Sequence, residues 1–251
     1  MIEKIDIEAI KTIAMEAGAV IMKVYEREFS VEYKSDSSPL TEADRSSNEV
    51  ICSRLQEAYP NIPLISEENR QIPYEVRKNW EYCWCVDPLD GTKEFIKRSD
   101  EFTVNIALIH QGIPVLGVVY APAKGDMYWA KRGEGAFKNG TRLPLKNNTN
   151  PQEKLVVVAS KSHLSQETQS FIDALGAKEI EHISAGSSLK FCMVAEGEAD
   201  VYPRLAPTME WDTAAADTIV REAGKMVYEV GSEIPMCYNK EELLNPWFVV
   251  R

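Results

Sequence analysis

Cysteine and histidine are scarce in this sequence, and neither forms a pattern. The five thiols, Cys52, Cys83, Cys85, Cys192 and Cys237, are odd in number, scattered and set among apolar residues, with no C-x-x-C pair. They read as reduced core residues in a reducing compartment, not as a disulfide framework. The three histidines, His110, His163 and His182, show no H-E-x-x-H spacing and have no cysteine at zinc-ligand distance along the chain, which argues against a zinc site. Any metal would then be a hard cation held by oxygen. No apolar run approaches the roughly 18 residues that span a bilayer. The first eleven residues alternate acidic and apolar side chains, whereas a secretory signal places a basic segment before an apolar one. Positive charge is also short, with 28 Lys and Arg against 39 Asp and Glu, a formal net charge of −11. That balance argues against a nucleic-acid polymer or an anionic membrane surface as partner. A small phosphorylated substrate stays open, because a bound cation reverses the local sign. Internal repeats and low-complexity tracts are absent.

What is present is an ordinary globular composition, 44% hydrophobic and 27% charged over 251 residues, enough for one large domain or two compact halves. Ile10, Ile13, Ala14, Ala17, Ile21 and Val24 fall on one helical face, predicting a long opening helix that ends near Glu26. A strand at 31–34 and a polar turn at 35–39 precede a second helix over 41–58, stopped by Pro60. A short strand at 62–65, an acidic loop and a dense aromatic-apolar strand at 80–86 follow. The runs 102–110, 113–120 and 127–130 read as two antiparallel hairpins. The polar stretch 146–153 is the candidate boundary between an N-terminal α+β half, 1–148, and a C-terminal α/β half, 149–251, which completes the site. Beyond it strands at 155–159, 178–182, 199–202 and 225–230 alternate with helices at 164–175, 187–196 and 211–223.

The chemistry concentrates at Asp87-Pro88-Leu89-Asp90-Gly91-Thr92, directly after the most apolar strand. Pro88 closes the ladder, so two carboxylates and a hydroxyl are delivered to the sheet's carboxyl end. Gly91 permits a tight turn, and Thr92 is placed as N-cap of a short helix. Asp87 and Asp90 with the Leu89 carbonyl suit Mg²⁺, and the helix start suits a phosphate oxygen. Glu67 and Glu68, again just past a short strand, can face the same cleft. Asp212, in Glu210-Trp211-Asp212-Thr213, reads as an N-cap, which does not prevent it from also being a ligand. Thr41 and Asp44 match a capping box, with the alternative that Asp44 reaches a hydroxyl in the cleft and helps deprotonate a water.

With Trp84-Cys85-Val86 before the first motif, Glu67-Glu68 about twenty positions upstream and Trp211-Asp212-Thr213-Ala214-Ala215-Ala216 near the end, the chain resembles the inositol monophosphatase superfamily over nearly its whole length. Residues 92–98 and 101–108, Gly186-Ser187-Ser188-Leu189-Lys190-Phe191-Cys192, Ala195-Glu196-Gly197 and Tyr202-Pro203-Arg204 are similar to its CysQ-type 3'(2'),5'-bisphosphate nucleotidases. Ser66 stands where the superfamily usually has glycine. The resemblance implies an α/β (α+β) fold, a layered αβαβα sandwich. It also implies a lithium-sensitive, Mg²⁺-dependent phosphomonoesterase that removes the 3'-phosphate of 3'-phosphoadenosine 5'-phosphate, with 3'-phosphoadenylyl sulfate as a second substrate. Glu67, Asp87, Asp90, Asp212 and the Leu89 carbonyl would hold two or three Mg²⁺. Thr92, paired with Asp44, would orient and help deprotonate the attacking water. The backbone of Gly91 and Thr92 would hold the scissile phosphate.

On the same grounds the substrate set is Glu67, Leu89, Asp90, Gly91, Thr92, Gly186, Ser187, Ser188, Lys190 and Asp212, with Lys93 and Arg204 as further candidates. The expected state is a monomer or homodimer, cytoplasmic or peripheral on the cytoplasmic face of the inner membrane. Inositol phosphates or fructose 1,6-bisphosphate are alternative substrates. A non-catalytic metal or nucleotide sensor is the alternative of another class.

Overall fold

The computed structural model describes residues 2–34, 39–146, 152–159 and 165–251. Residues 35–38 of the turn expected at 35–39, the 148/149 boundary and His163 lie outside the described residues. Helix α1 (Ile7–Tyr25) is capped by Asp6, whose carboxylate accepts the Glu8 amide at 3.0 Å, and it buries the apolar face read from the sequence. Strand β1 (Val31–Tyr33) pairs antiparallel with β2 (Pro39–Thr41), a strand too short to read from its pattern. Helix α2 (Glu42–Ala58) starts at the expected capping box and packs beside α1.

A seven-stranded sheet follows. It runs through β3 (Leu64–Ser66), then a single helical turn α3 (Tyr74–Arg77), β4 (Tyr82–Asp90), the short helix α4 (Thr92–Ile96), β5 (Thr103–His110), β6 (Ile113–Ala121), β7 (Asp126–Lys131), β8 (Gly135–Lys138) and β9 (Thr141–Arg142), with the strands in chain order. Both expected hairpins are present, and β3 with β4 is the one parallel pair in this sheet. The central strands are apolar throughout because both of their faces are covered. Trp84 and Val86 face the core under α1 and α2, while Cys83 and Cys85 face the opposite one.

That second core is closed by the C-terminal elements: β10 (Lys154–Ala159), α5 (Gln166–Asp173), β11 (Glu179–Ser184), α6 (Leu189–Glu196), β12 (Tyr202–Arg204), α7 (Ala214–Glu222), β13 (Val227–Glu229) and β14 (Phe248–Val250). Strands β10 and β11 are parallel, β14 lies between β12 and β13, and a bridge from Val157 to Val201 joins the two groups. Helices α6 and α7 fill the space between the sheets, and Ile172 of α5 packs on the outer side with Val157, Val201 and Val249. The layers read α, β, α, β, α, as expected from the resemblance. Among the described residues no helix is long and apolar enough to cross a membrane.

Several boundaries move. The strand expected at 199–202 is Tyr202–Arg204, and the helix expected from 211 starts at Ala214 after a 3-10 turn, Glu210–Asp212. The thiols are free, yet only Cys83, Cys85 and Cys192 are core residues; Cys52 is half-buried and Cys237 exposed, because an apolar neighbour in sequence does not fix which way a loop residue points.

Sheet and helix approach closely at Gly117 of β6, where a Cβ would run into the Ala215 carbonyl of α7. Gly117→Ala should therefore lower stability by about 1–3 kcal/mol through overpacking, measured as the shift in the denaturant midpoint. An unchanged midpoint would mean that α7 is not seated on β6.

Candidate active site

The parallel pairing of β3 with β4 brings the acidic motifs together. Ser66 lies beside Val86, and the Glu67 amide donates to the Val86 carbonyl at 3.2 Å, so Glu67 leaves the sheet next to Asp87. Between Asp87 and Asp90 the ladder with β5 is broken by a bulge that contains Pro88 and Leu89, the place where a residue without an N–H is tolerated. The bulge is pinned twice: Asp87 Oδ1 accepts the Leu89 amide at 3.0 Å, and Ser47 Oγ of α2 donates to the Pro88 carbonyl at 2.7 Å. Gly91 then turns at φ +93°, a left-handed conformation that suits glycine. It is Gly91, not Thr92, that is the N-cap of α4; Thr92 is the first helical residue, so its hydroxyl is free for other work.

That hydroxyl lies 3.0 Å from Asp44 Oδ1 and 3.3 Å from the Leu89 carbonyl. Asp44 Oδ2 is engaged separately, accepting the Thr41 amide at 2.7 Å and the Thr41 hydroxyl at 2.6 Å. The two readings of Asp44 thus coexist, one oxygen for the helix cap and one for Thr92. Burial raises the Asp44 pKa, and the bonds from Thr41 and Thr92 act against the rise.

Asp212 is not an N-cap of α7, a position held by Thr213. It sits in the preceding 3-10 turn, where Oδ2 accepts the Met209 amide at 2.9 Å, because the turn bends the chain before the alanine run begins. Its carboxyl is pushed up to about 8 by burial and by Asp90, with Glu67 adding to the rise. Asp87 is pushed well up by burial, then by Glu67, Asp90 and Asp212. Such mutual effects require that the four carboxylates share one small region. Among the described residues no three acidic, histidine or cysteine side chains are drawn into a ready cage. Each carboxylate is bonded to its own donor: Glu67 to Lys34 Nζ at 2.8 Å, which also grips Glu68 at 2.6 Å, Asp87 to the Leu89 amide, Asp90 to Ser188, and Asp212 to the Met209 amide. Burial opposes the Lys34 charge, yet Glu67 and Glu68 keep it protonated well above the usual lysine range. An all-oxygen donor set of crowded carboxylates fits a hard divalent cation.

Asp90 and Asp212 reach the floor of a cleft of about 140 Å³. Gly91, Gly186, Ser187 and Lys190 line it as expected, together with Lys93 and Arg204. Lys190 is buried, with Nζ donating to the Ser187 carbonyl at 2.6 Å; burial lowers its pKa to about 8 while Asp90 acts to raise it. Asp44, Glu67, Asp87, Leu89 and Thr92 stand outside this lining, on the side of β3, β4 and α2. Ser188 is 1% exposed and is not part of this lining; its hydroxyl is bonded to Asp90 and to the Asp212 carbonyl beneath it. Reading the sequence missed Lys34, Asn105, Phe191 and Tyr202. Asn105 did carry a signal, a lone amide in the apolar run of β5, but Lys34 lies 33 residues from Glu67 and carried none.

The inositol monophosphatase family model matches residues 1–246. The chain belongs to that family. It is 46% identical over 246 residues to the 3'(2'),5'-bisphosphate nucleotidase CysQ of Salmonella typhimurium, covering 97% of this chain and 98% of that protein. It is 45% identical over 241 residues to the protein of the same name from Escherichia coli strain K12, covering 95% and 96%. The crystal structure of CysQ from Bacteroides thetaiotaomicron, described as a bacterial member of the inositol monophosphatase family, superposes with a TM-score of 0.86 at 46% identity, covering 97% and 96% of the two chains.

For this family member, crowded carboxylates give a pH dependence of defined sign. Asp212 rises from 3.8 to about 8 on folding. Below pH 4 both states are protonated and nothing is lost. Between about 4 and 8 the folded state keeps a proton that the unfolded chain has released, so stability falls as pH rises. The melting temperature of cation-free protein should thus drop from pH 5 to pH 8, and millimolar Mg²⁺ should restore it at pH 8. A melting temperature that is flat over this range would contradict the crowding described.

Proposed function

We propose that the chain is a Mg²⁺-dependent 3'(2'),5'-bisphosphate nucleotidase that converts 3'-phosphoadenosine 5'-phosphate to AMP and phosphate in sulfur assimilation, with 3'-phosphoadenylyl sulfate as a second substrate. Full-length identity to proteins of that name supports the substrate. The observation that carries the chemistry is the Thr92–Asp44 pair, at 3.0 Å, beside four mutually repelling carboxylates. A sensor has no use for a hydroxyl–carboxylate pair poised to move a proton. Lys190 and Arg204 on the cleft wall favour a substrate with a second anionic group over an inositol monophosphate.

Glu67, Asp87, Asp90, Asp212 and the Leu89 carbonyl are the groups that would hold two or three Mg²⁺, which neutralise a phosphate monoester and acidify a water when bound. Thr92 Oγ, donating to Asp44 Oδ1, accepts a proton from the attacking water and so aims it. Asp44, kept ionised by its bonds from Thr92 and Thr41, takes up the proton that the Thr92 hydroxyl gives up in exchange. The Gly91 and Thr92 amides face the phosphate, and Lys190 and Arg204 fix the nucleotide by its other phosphate. No covalent enzyme intermediate is needed, consistent with three buried thiols whose pKa values burial raises: Cys83 to about 12, Cys85 and Cys192 well above the usual thiol range.

Phosphate release should need Mg²⁺, fall with added lithium, and proceed at least about tenfold faster in kcat/KM on 3'-phosphoadenosine 5'-phosphate than on inositol 1-phosphate or fructose 1,6-bisphosphate, a difference of about 1.4 kcal/mol in transition-state binding. The reverse order would overturn the substrate. Thr92→Ala should lower kcat by about 10²-fold or more with little change in KM, whereas Asp90→Asn should nearly abolish turnover and weaken Mg²⁺ binding. Near-normal turnover by Asp90→Asn would remove the basis of the mechanism.

A further inference from the structure

Asn105 is 1% exposed in the middle of β5. Strand alternation turns Val104, Ile106 and Leu108 toward α1 and α2, and Ala107 and Ile109 toward the core under α6 and α7. Asn105 shares the second face, where an unbonded amide costs about 1–3 kcal/mol. Its Nδ2 lies 2.9 Å from Ser188 Oγ and 3.4 Å from Asp90 Oδ2. An ionised carboxylate only accepts, so the amide must present its NH₂ on that side. Its Oδ1 is left without a partner, so the donor end is the one the site uses.

Ser188 extends the relay. Its oxygen accepts from Asn105, and its single proton faces Asp90 Oδ2 at 2.9 Å and the Asp212 carbonyl at 2.7 Å. One buried hydroxyl thus ties β5, the residue before α6, the end of β4 and the 3-10 turn of Asp212 at a single point. Both side-chain donors act on Oδ2, and the Ser188 backbone adds a further hydrogen bond to the same carboxylate.

We propose that Asn105 and Ser188 are positioning residues. They hold Asp90 by Oδ2, and the Asp212 turn by its carbonyl, so that the two carboxylates present oxygens to a divalent cation. Ser188 acts through Asp90 and does not touch substrate, which reassigns the role expected for it from the sequence. This rests on the reading of Asp90 and Asp212 as cation ligands. Partners that orient a ligand from behind are worth roughly 10–100-fold in metal affinity or activity.

The test compares Ser188→Ala, Asn105→Leu, the double variant and Asp90→Asn as full-length proteins. Mn²⁺ affinity is read by calorimetry without substrate, and turnover gives the Mg²⁺ half-saturation and the nucleotide KM separately. Ser188→Ala should weaken Mn²⁺ binding and raise the Mg²⁺ half-saturation by about tenfold or more, with KM at saturating Mg²⁺ within about threefold of the parent. The double variant should lose little beyond the larger single effect, because the two residues form one relay. If Asn105→Leu does not fold, Ser188→Ala alone decides, since it removes one oxygen from a helix start. A raised KM with unchanged cation affinity in Ser188→Ala would make Ser188 a substrate contact and overturn the proposal. Unchanged affinity in Asp90→Asn would instead overturn the ligand assignment beneath it.

Discussion

Four carboxylates crowded into one largely buried place repel one another, and much of the surrounding architecture answers that repulsion. Parallel pairing of β3 and β4 creates the crowd by bringing Glu67 and Asp87 out side by side. Removing carboxylates from water disfavours their charge, and each neighbour adds to the effect. The folded chain meets this with one cation and several donors. Lys34 bridges Glu67 and Glu68, the Leu89 and Met209 amides bond Asp87 and Asp212, and Ser188 bonds Asp90. These donors remove only part of the negative charge, because among the described residues Lys34 alone brings a full positive charge into contact with these carboxylates. The site is therefore built with a deficit that a divalent cation would fill.

The same logic extends away from the cleft. Glu210, two residues before Asp212, is fully buried and accepts from the Asn239 and Lys240 amides and from Lys240 Nζ. Asn245 Nδ2 bonds the Met209 carbonyl at 2.8 Å and Thr213 Oγ1 at 3.1 Å. Arg77, 3% exposed on α3, donates to the Lys240 and Glu241 carbonyls and to Asn239. The loop before β14 is thus stapled over the turn that carries Asp212. A fixed turn would matter for the proposed ligand role of Asp212, because a carboxylate that swings by an ångström would no longer meet a cation held by the carboxylates of β3 and β4.

The elements that could be read from sequence are those with a local physical cause. Helices α1 and α2 follow from a 3.6-residue apolar period and a capping box, and β4 to β7 follow from apolar runs separated by turn residues. The motifs of Glu67 and Asp87–Thr92 were legible because each follows an apolar strand, and Asp212 because it stands before an alanine-rich helix. The losses have causes too. Strands β2, β9 and β14 are three residues or fewer, too short to show a period; β2 and β9 are fixed by pairing with the neighbouring β1 and β8, and β14 by pairing with β12 and β13. Thr92 was read as a cap because its spacing allows it, but Gly91 takes the left-handed cap position. Ser188 was read as facing substrate because it precedes a helix, whereas its rotamer is set by Asn105, 83 residues away.

The net charge of −11 seems at odds with a doubly phosphorylated substrate until the charge is resolved in space. Four of the negative charges belong to Glu67, Asp87, Asp90 and Asp212, and two divalent cations bound there would cancel them. What then sets the sign of the cleft is its wall, where Lys93, Lys190 and Arg204 face Glu94. Burial weakens the Lys190 charge and Asp90 sustains it, so cancelling the Asp90 charge removes part of what keeps Lys190 protonated. An anionic group of the substrate beside Lys190 would replace that support. On the proposed reading, cation and substrate would depend on each other at this wall: the cation would make the floor attractive to phosphate, and the phosphate would return to Lys190 the negative partner that the cation had taken.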